Sequence, residues 1–473
     1  MLFNTFEFLW LFPLVFCVYY LMSWKRMGNV SLLLISYGLY ISWKPVYALI
    51  LLWVTIVTYF AARLHMADDE RKKRIRNKVT LVVGIVLTLM PLVAFKYLDF
   101  LNSIFVDVLS FIHVSLSIPG LNWALPLGLS FFTLQAIGYM VDVYLHKIEA
   151  EKNWWDYMLF ISFFPQIASG PISKAKDLLP QIKDERAFKY RQAVQGLKWI
   201  LWGMFMKVVM ADRIGIYADT IFNNYEHLSG LSCFIGSLLY TLQIYGDFAG
   251  YSFMAVGVGE LFGFELINNF QRPYFSQSIT EFWHRWHISL STWLKDYIYI
   301  PLGGSRCSKM RNYWNIFVTF LVSGIWHGAN WTFIVWGGLH GIFQIIEKML
   351  KLQKPSSAGI TKTVRILVTF LLVNFAWVFF RMPSLDKATD MIIKMFTNHD
   401  TTIAEITPAM VLLIVMSVSI VLVKDVLDEF CKKKQTLFHH QNIFVRWSLY
   451  IILTCLILTC GVFDASQFIY VNF

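Results

Sequence analysis

Apolar runs long enough to cross a bilayer recur along the whole chain, and none alternates with a period of two. "FLWLFPLVFCVYYLM", "VYALILLWVTIVTYFAA", "TLVVGIVLTLMPLVAF" and "MVLLIVMSVSIVLV" are four of them. In hydrocarbon every backbone N–H and C=O must find a partner within the protein, so only helices or closed barrels span a membrane. Continuous rather than alternating apolarity selects helices. Only 15% of residues are charged, against about 25% in soluble domains. The chain therefore reads as an all-α polytopic membrane protein with roughly ten to twelve crossings of about 20 residues each. It reads as one integral-membrane unit over 1–473, with N-terminal helices in 1–124, a motif-bearing core in 125–350 and C-terminal helices in 351–473.

Charge sets the expected orientation. The net charge of +11 is spread over short loops, which is the positive-inside pattern. No basic stripe with interleaved aromatics is present, so nucleic acid is excluded as a partner. No Lys or Arg precedes the first run, whereas Lys25 and Arg26 follow it, placing the N-terminus outside. "DDERKKRIRNK" (68–78) and "KKK" (432–434) then fall in the cytoplasm, and 382–408 falls outside. The six cysteines form no C-x-x-C pair, which argues against a zinc site or a disulfide framework. They read as small buried hydrophobes.

Function is expected where polar residues interrupt these runs, because ionisable groups at membrane depth are expensive and rare. "FFPQIASGPISK" (163–174) reads as a re-entrant or broken helix. "YTLQIYGDFAGYS" (240–252) carries Gln243, Tyr245 and Asp247. "SGIWHGAN" (323–330) places His327 and Asn330 deep in a hairpin of two short helices with basic flanks. Ser323 and Gly324 share the helical face of His327, and Gly324 and Gly328 clear room for a backbone or a substrate. In "EFWHRWHISLSTWLKDY" (281–297) the apolar residues fall within roughly 120° of a helical wheel, so this helix lies along an interface or a wet cavity. His287 sits at the border of its two faces. Glu281 and His284 form one E-x-x-H, but a di-metal site needs a second copy and further glutamates. No metal site is expected, and His284 reads as solvated. Arg285 and Lys295 could attract a phosphorylated donor, although an amphipathic face equally suits solvent or headgroups. Asp142 and Glu260 read as halves of structural pairs. His340, His65, His399, His439 and His440 read as incidental. No Walker loop, Rossmann pattern, nucleophile elbow or HExxH occurs.

"FWHRWHISLSTWLKDYIYIPLGG" followed by "SGIWHGANWTFIVWGGLHG" resembles the signature of the membrane-bound O-acyltransferases. The alginate O-acetyltransferase branch is most similar, and the teichoic-acid D-alanyl transfer branch is next. "LPLGLSFFTLQAIGYMVDVY" (125–144), "SFFPQIASGPISKAKDLLPQI" (162–182), "QIYGDFAGYS" (243–252), "NFQRPYF" (269–275) and "GVFDASQFIY" (461–470) match in the same order. Departures fall at Gly246, Ala249, Phe253 and His284.

The resemblance implies a ring of tilted and broken helices, with re-entrant segments, around a central tunnel in a bacterial-type cytoplasmic membrane. It implies that His327 is the catalytic histidine and His287 the second conserved-type polar position. The tunnel-lining candidates are Trp326, Asn330, Ser323, Gln243, Tyr245, Asp247, Arg285 and Asp296. No bound cofactor is expected. The donor would be a cytoplasmic thioester, acetyl-CoA or an acylated carrier protein. The acceptor would be a hydroxyl of an extracellular or cell-wall polysaccharide, reached directly or through an external partner of the SGNH-hydrolase type. Histidine supplies a base near neutral pKa for such a transfer, while Asn330, the Trp326 indole and backbone amides could serve a developing oxyanion. D-alanyl transfer to a teichoic-acid-type polymer is the rival within the class. A proton-coupled transporter or flippase using His327 and Asp247 is the rival outside it, but it requires pseudo-symmetric halves, and none is found.

Overall fold

Five helices among the described residues are long and apolar enough to cross a membrane by themselves: Pro45–Arg63, Arg76–Phe111, Gly359–Arg381, Pro408–Phe430 and Ile443–Cys460. The computed structural model describes residues 3, 5–22, 27–64, 70–113, 120, 123–167, 170–431, 438 and 442–463. Lys25, Arg26, His65, residues 68–69 of the charged loop, 168–169, 432–434, His439, His440 and residues 464–470 of the last motif lie outside them. The remaining helices are shorter or interrupted. Leu129–Tyr144 has 16 residues, and Trp154–Ser162 has nine before a break at Phe163.

The apolar helix that follows the charged loop is continuous well past residue 97. Glu70–Leu92 runs through a π-helical turn, Val93–Tyr97, into Leu98–Phe111. Pro91 is the local cause, since it removes a helical N–H and displaces the carbonyl four residues back. That carbonyl, on Leu87, accepts from the Trp53 indole at 3.1 Å.

Residues 163–167 and 170–173 of the broken segment are buried inside protein, as irregular backbone at membrane depth must be. Its exposed backbone donors are captured by other helices: Phe164 N–H donates to Ser36 Oγ at 3.2 Å and Ile172 N–H to Ser289 Oγ at 3.0 Å. The 32-residue helix Gly230–Leu261 forms the spine of the core. It packs backbone to backbone on Tyr190–Met204, because a Cβ on Gly250 would lie 2.6 Å from the Gly203 carbonyl oxygen. Small residues at such contacts replace the hydrophobic drive that lipid does not supply.

The expected hairpin is present. Lys309–His327 and Trp331–Met349 have 19 residues each and are joined through Gly328–Asn330. Gly324 makes room for the hairpin's own second helix rather than for a substrate, since a Cβ there would meet the Phe333 carbonyl oxygen at 2.3 Å. Gly328 is likewise covered by the Phe333 ring.

The single amphipathic helix expected over 281–297 is instead two short helices, Ile279–Arg285 and Ile288–Leu294, followed by a π-helical turn. His287 stands at the corner in the left-handed region, φ 44° and ψ 55°. Asn269 holds that corner: its carbonyl oxygen accepts from Ile288 N–H at 3.1 Å and its side chain from Ser289 N–H at 2.9 Å. A wheel drawn over the whole stretch therefore misplaces His287, which the corner turns fully inward. The cysteines also depart from expectation. All six are free, Cys233 alone is buried, and Cys17 and Cys455 are exposed.

Candidate active site

The corner at His287 and the cut end of the hairpin's first helix meet in the core. His287 is completely buried. Its ring lies 4.7 Å from Phe248, 6.1 Å from Phe131 and 6.2 Å from Trp326, centroid to centroid. Trp326 in turn lies 4.8 Å from His327, which packs on Trp336 at 4.9 Å and Phe380 at 5.3 Å. His327 is 4% exposed. Buried polar groups are normally hydrogen-bonded. Here both ring nitrogens of His287, the indole N–H of Trp326 and Trp336, and the Ser323 hydroxyl have no hydrogen-bond partner in the protein. Such a concentration of unmatched donors and acceptors around one imidazole is costly for a fold and useful to a reacting substrate.

Two residues of this region escaped the reading of the sequence. His340 is not incidental: it is completely buried, and its Nδ1 accepts from the Trp283 indole at 3.3 Å while its ring meets Trp336 edge-on at 5.0 Å. Its spacing of four residues from Trp336, on the same helical face, was the available signal. Lys96 also reaches the site, donating from Nζ to the Trp326 carbonyl at 2.8 Å. A lysine inside an apolar run was visible, but its partner, 230 residues away, was not.

The other candidates are used elsewhere. Asn330 caps the second hairpin helix by accepting from Thr332 N–H at 3.1 Å, and its amide donates to the Pro383 carbonyl at 2.7 Å. Both halves of its amide thus make hydrogen bonds that serve the fold. Asp247 faces Lys207 at 2.5 Å, and Lys207 also meets Asp212 at 2.6 Å. Tyr245 donates to Asp425 at 2.9 Å. Gln243 is buried on the same helix with its Oε1 unpartnered. Arg285 forks onto Glu429 at 3.0 Å through each terminal nitrogen and meets Glu281 at 2.7 Å, a geometry that fixes its guanidinium. Asp296 is paired with Lys174. Asp142 has the structural partners expected of it, Lys147 at 3.2 Å and the Tyr297 hydroxyl at 2.7 Å. Glu260 instead keeps a buried Oε2 without a hydrogen bond.

A cavity of about 430 Å³ opens beside the hairpin's basic end. His284, Lys295 and Lys348 line it together with Ile288, Ile316 and Phe320. Trp283 forms part of its wall, and behind Trp283 stand His340, Trp336 and then His327. Aromatic side chains thus separate the cavity from the imidazole.

The fold and this site have relatives. Residues 148–385 match the family model described as MBOAT, membrane-bound O-acyltransferase family. The chain is 38% identical over 412 residues to the probable alginate O-acetylase AlgI of Pseudomonas aeruginosa, covering 86% of this chain and 77% of that one. It is 36% identical over 421 residues to the peptidoglycan O-acetyltransferase of Helicobacter pylori, covering 82% and 78%. With the teichoic acid D-alanyltransferase of Streptococcus thermophilus it shares 30% over 286 residues, covering 54% and 68%. A helical, multi-pass architecture, a buried histidine pair between broken helices and these matches lead to one statement: the chain belongs to the membrane-bound O-acyltransferase family and is an acyltransferase.

Proposed function

We propose that the protein moves an acetyl group from a cytoplasmic thioester, acetyl-CoA or an acylated carrier protein, to a hydroxyl of an extracellular or cell-wall polysaccharide. The acceptor receives it directly or through an external partner of the SGNH-hydrolase type, and the N-terminus lies outside. The names of relatives above 35% identity, among them an alginate O-acetylase and a peptidoglycan O-acetyltransferase, support the acetyl group and the polysaccharide. The observation that carries the reading is the unpartnered pair beside His327, the His287 imidazole and the Trp326 indole.

In this mechanism His327 takes the proton of the acceptor hydroxyl as its oxygen attacks the thioester carbonyl. The Trp326 indole N–H donates to the oxyanion that forms, in a site that excludes water, where such donors are most effective. Collapse breaks the C–S bond, and the imidazolium returns the proton to the departing thiolate. His287 orients or polarises one of the two substrates. The cavity lined by Lys295 and Lys348 receives the donor, and the Trp283 side of its wall gives way to admit the thioester.

The test is ester content of envelope polysaccharide in cells making wild type or His327→Ala at equal membrane levels. Loss of a general base lowers the rate by about 10²–10⁴, so the variant should fall to background. Normal ester content in the variant overturns the role of His327. Mild base releases the acid for identification: acetate is expected, and D-alanine would move the protein to the other branch.

A further inference from the structure

We propose that Lys96 is a positioning residue for the transfer reaction, acting through Trp326 by anchoring the cut end of the hairpin's first helix and charging one face of the indole. This rests on the functional reading above. Lys96 lies in the π-helical turn Val93–Tyr97, within a membrane-spanning helix. A charge at such depth is costly and is kept only where it has work to do. No carboxylate among the described residues acts on this ammonium. Its hydrogen bond goes to the Trp326 carbonyl at 2.8 Å, and the adjacent Tyr97 hydroxyl donates to the Ile325 carbonyl at 2.7 Å.

Those carbonyls belong to the last turn before the break, where a helix has no internal donors left. Two donors from one π turn thus hold the backbone immediately before His327. A neutral hydroxyl suffices for Ile325, so satisfying a carbonyl does not explain the charge at Trp326. Two further features do. A cation complements the negative end of the helix, and the same ammonium stands 5.8 Å from the centre of the Trp326 ring. A cation over an indole is attracted to its π face and draws electron density from it, which makes the N–H a stronger donor. That N–H is buried and unpartnered, between His287 and His327. The π turn therefore sets both the place and the donor strength of the group assigned to the oxyanion.

The experiment uses the full chain in membrane vesicles supplied with [14C]acetyl-CoA, reading label incorporated into polysaccharide, and in parallel 19F spectra of protein carrying 5-fluorotryptophan. Trp326→Phe identifies the Trp326 resonance. Lys96→Met should slow incorporation about tenfold, less than the roughly 10²–10³ that follows outright loss of an oxyanion donor. Lys96→Arg should recover most of the rate. Lys96→Gln, which keeps a donor without charge, should stay slow and serves if the Met variant does not fold. The double variant Lys96→Met with Trp326→Phe should be no slower than Trp326→Phe alone, because residues acting as one unit are non-additive. The Trp326 resonance should move in Lys96→Met and return in Lys96→Arg. Multiplied losses in the double variant, full activity in Lys96→Gln, or an unmoved resonance each overturn the proposal. Wild type that incorporates no label would sink the functional reading, while the 19F spectra would still decide the contact.

Discussion

Two regions of the core bury polar groups, and they treat them in opposite ways. Around Lys207 one ammonium stands between the carboxylates of Asp212 and Asp247, at 2.6 and 2.5 Å, with all three side chains no more than 1% exposed. Around His287 the rings are also buried, yet both imidazole nitrogens and the Trp326 and Trp336 indoles lack a hydrogen-bond partner. The first arrangement pairs its charges within the protein and ties the spine helix Gly230–Leu261 to the π turn Phe205–Ala211. The second leaves its interactions to be completed by something else. At membrane depth, the separation of scaffold from reactive site is thus a matter of which groups are matched rather than which are charged.

That contrast can be broken from either side. The largest effect is expected for Lys207→Met, which leaves two carboxylates facing each other. Breaking a buried pair costs about 3–5 kcal/mol, so the midpoint of thermal unfolding in detergent should fall steeply while folded molecules keep their transfer rate. Equal stability with lost activity would place the triad in the reaction. Next is His287→Phe, which removes no hydrogen bond made within the protein. Stability should change by less than about 1.5 kcal/mol, as for other shape-conserving swaps, while ester formation falls roughly 100-fold, the lower range for loss of a polarising donor. Gly324→Ala sharpens the point that the hairpin glycines serve packing. With Phe333 oxygen 2.3 Å from the new Cβ, overpacking should cost about 1–3 kcal/mol, seen in unfolding midpoint rather than in turnover of the folded protein. Asn330→Ala should be mildest, about 1 kcal/mol for a lost helix cap. A large rate loss at unchanged stability would return Asn330 to the site.

The sequence made the hairpin legible because a histidine between two glycines interrupts an otherwise apolar run, and nothing else in hydrocarbon explains that. It made the all-helical membrane class legible better than the form of each crossing, since periodicity does not register the π turn that follows Pro91 inside a continuous helix. The corner at His287 was hidden for a physical reason. A wheel assumes that 281–297 is one helix, whereas the corner is imposed by Asn269, 18 residues before it and outside that stretch. Long-range partners were equally out of reach. Arg285 and Glu429 are 144 positions apart, and Lys96 and Trp326 are 230. Side-chain type announced that each was unusual, but only the packed fold shows that the first is spent in an ion cluster and the second touches the site.

The length of the hairpin has a consequence for substrate choice. A helix of 19 residues rises roughly 28 Å from Lys309 to its end. The residues of that helix lining the cavity run to Phe320, which leaves about 10 Å, two helical turns, to His327. If the donor enters by this cavity, as proposed, the first helix would act as a gauge: a thioester on a short stem would halt beneath the tryptophans, and only one borne on a slender extended arm would arrive at the imidazole. Reach would then select among donors before affinity does.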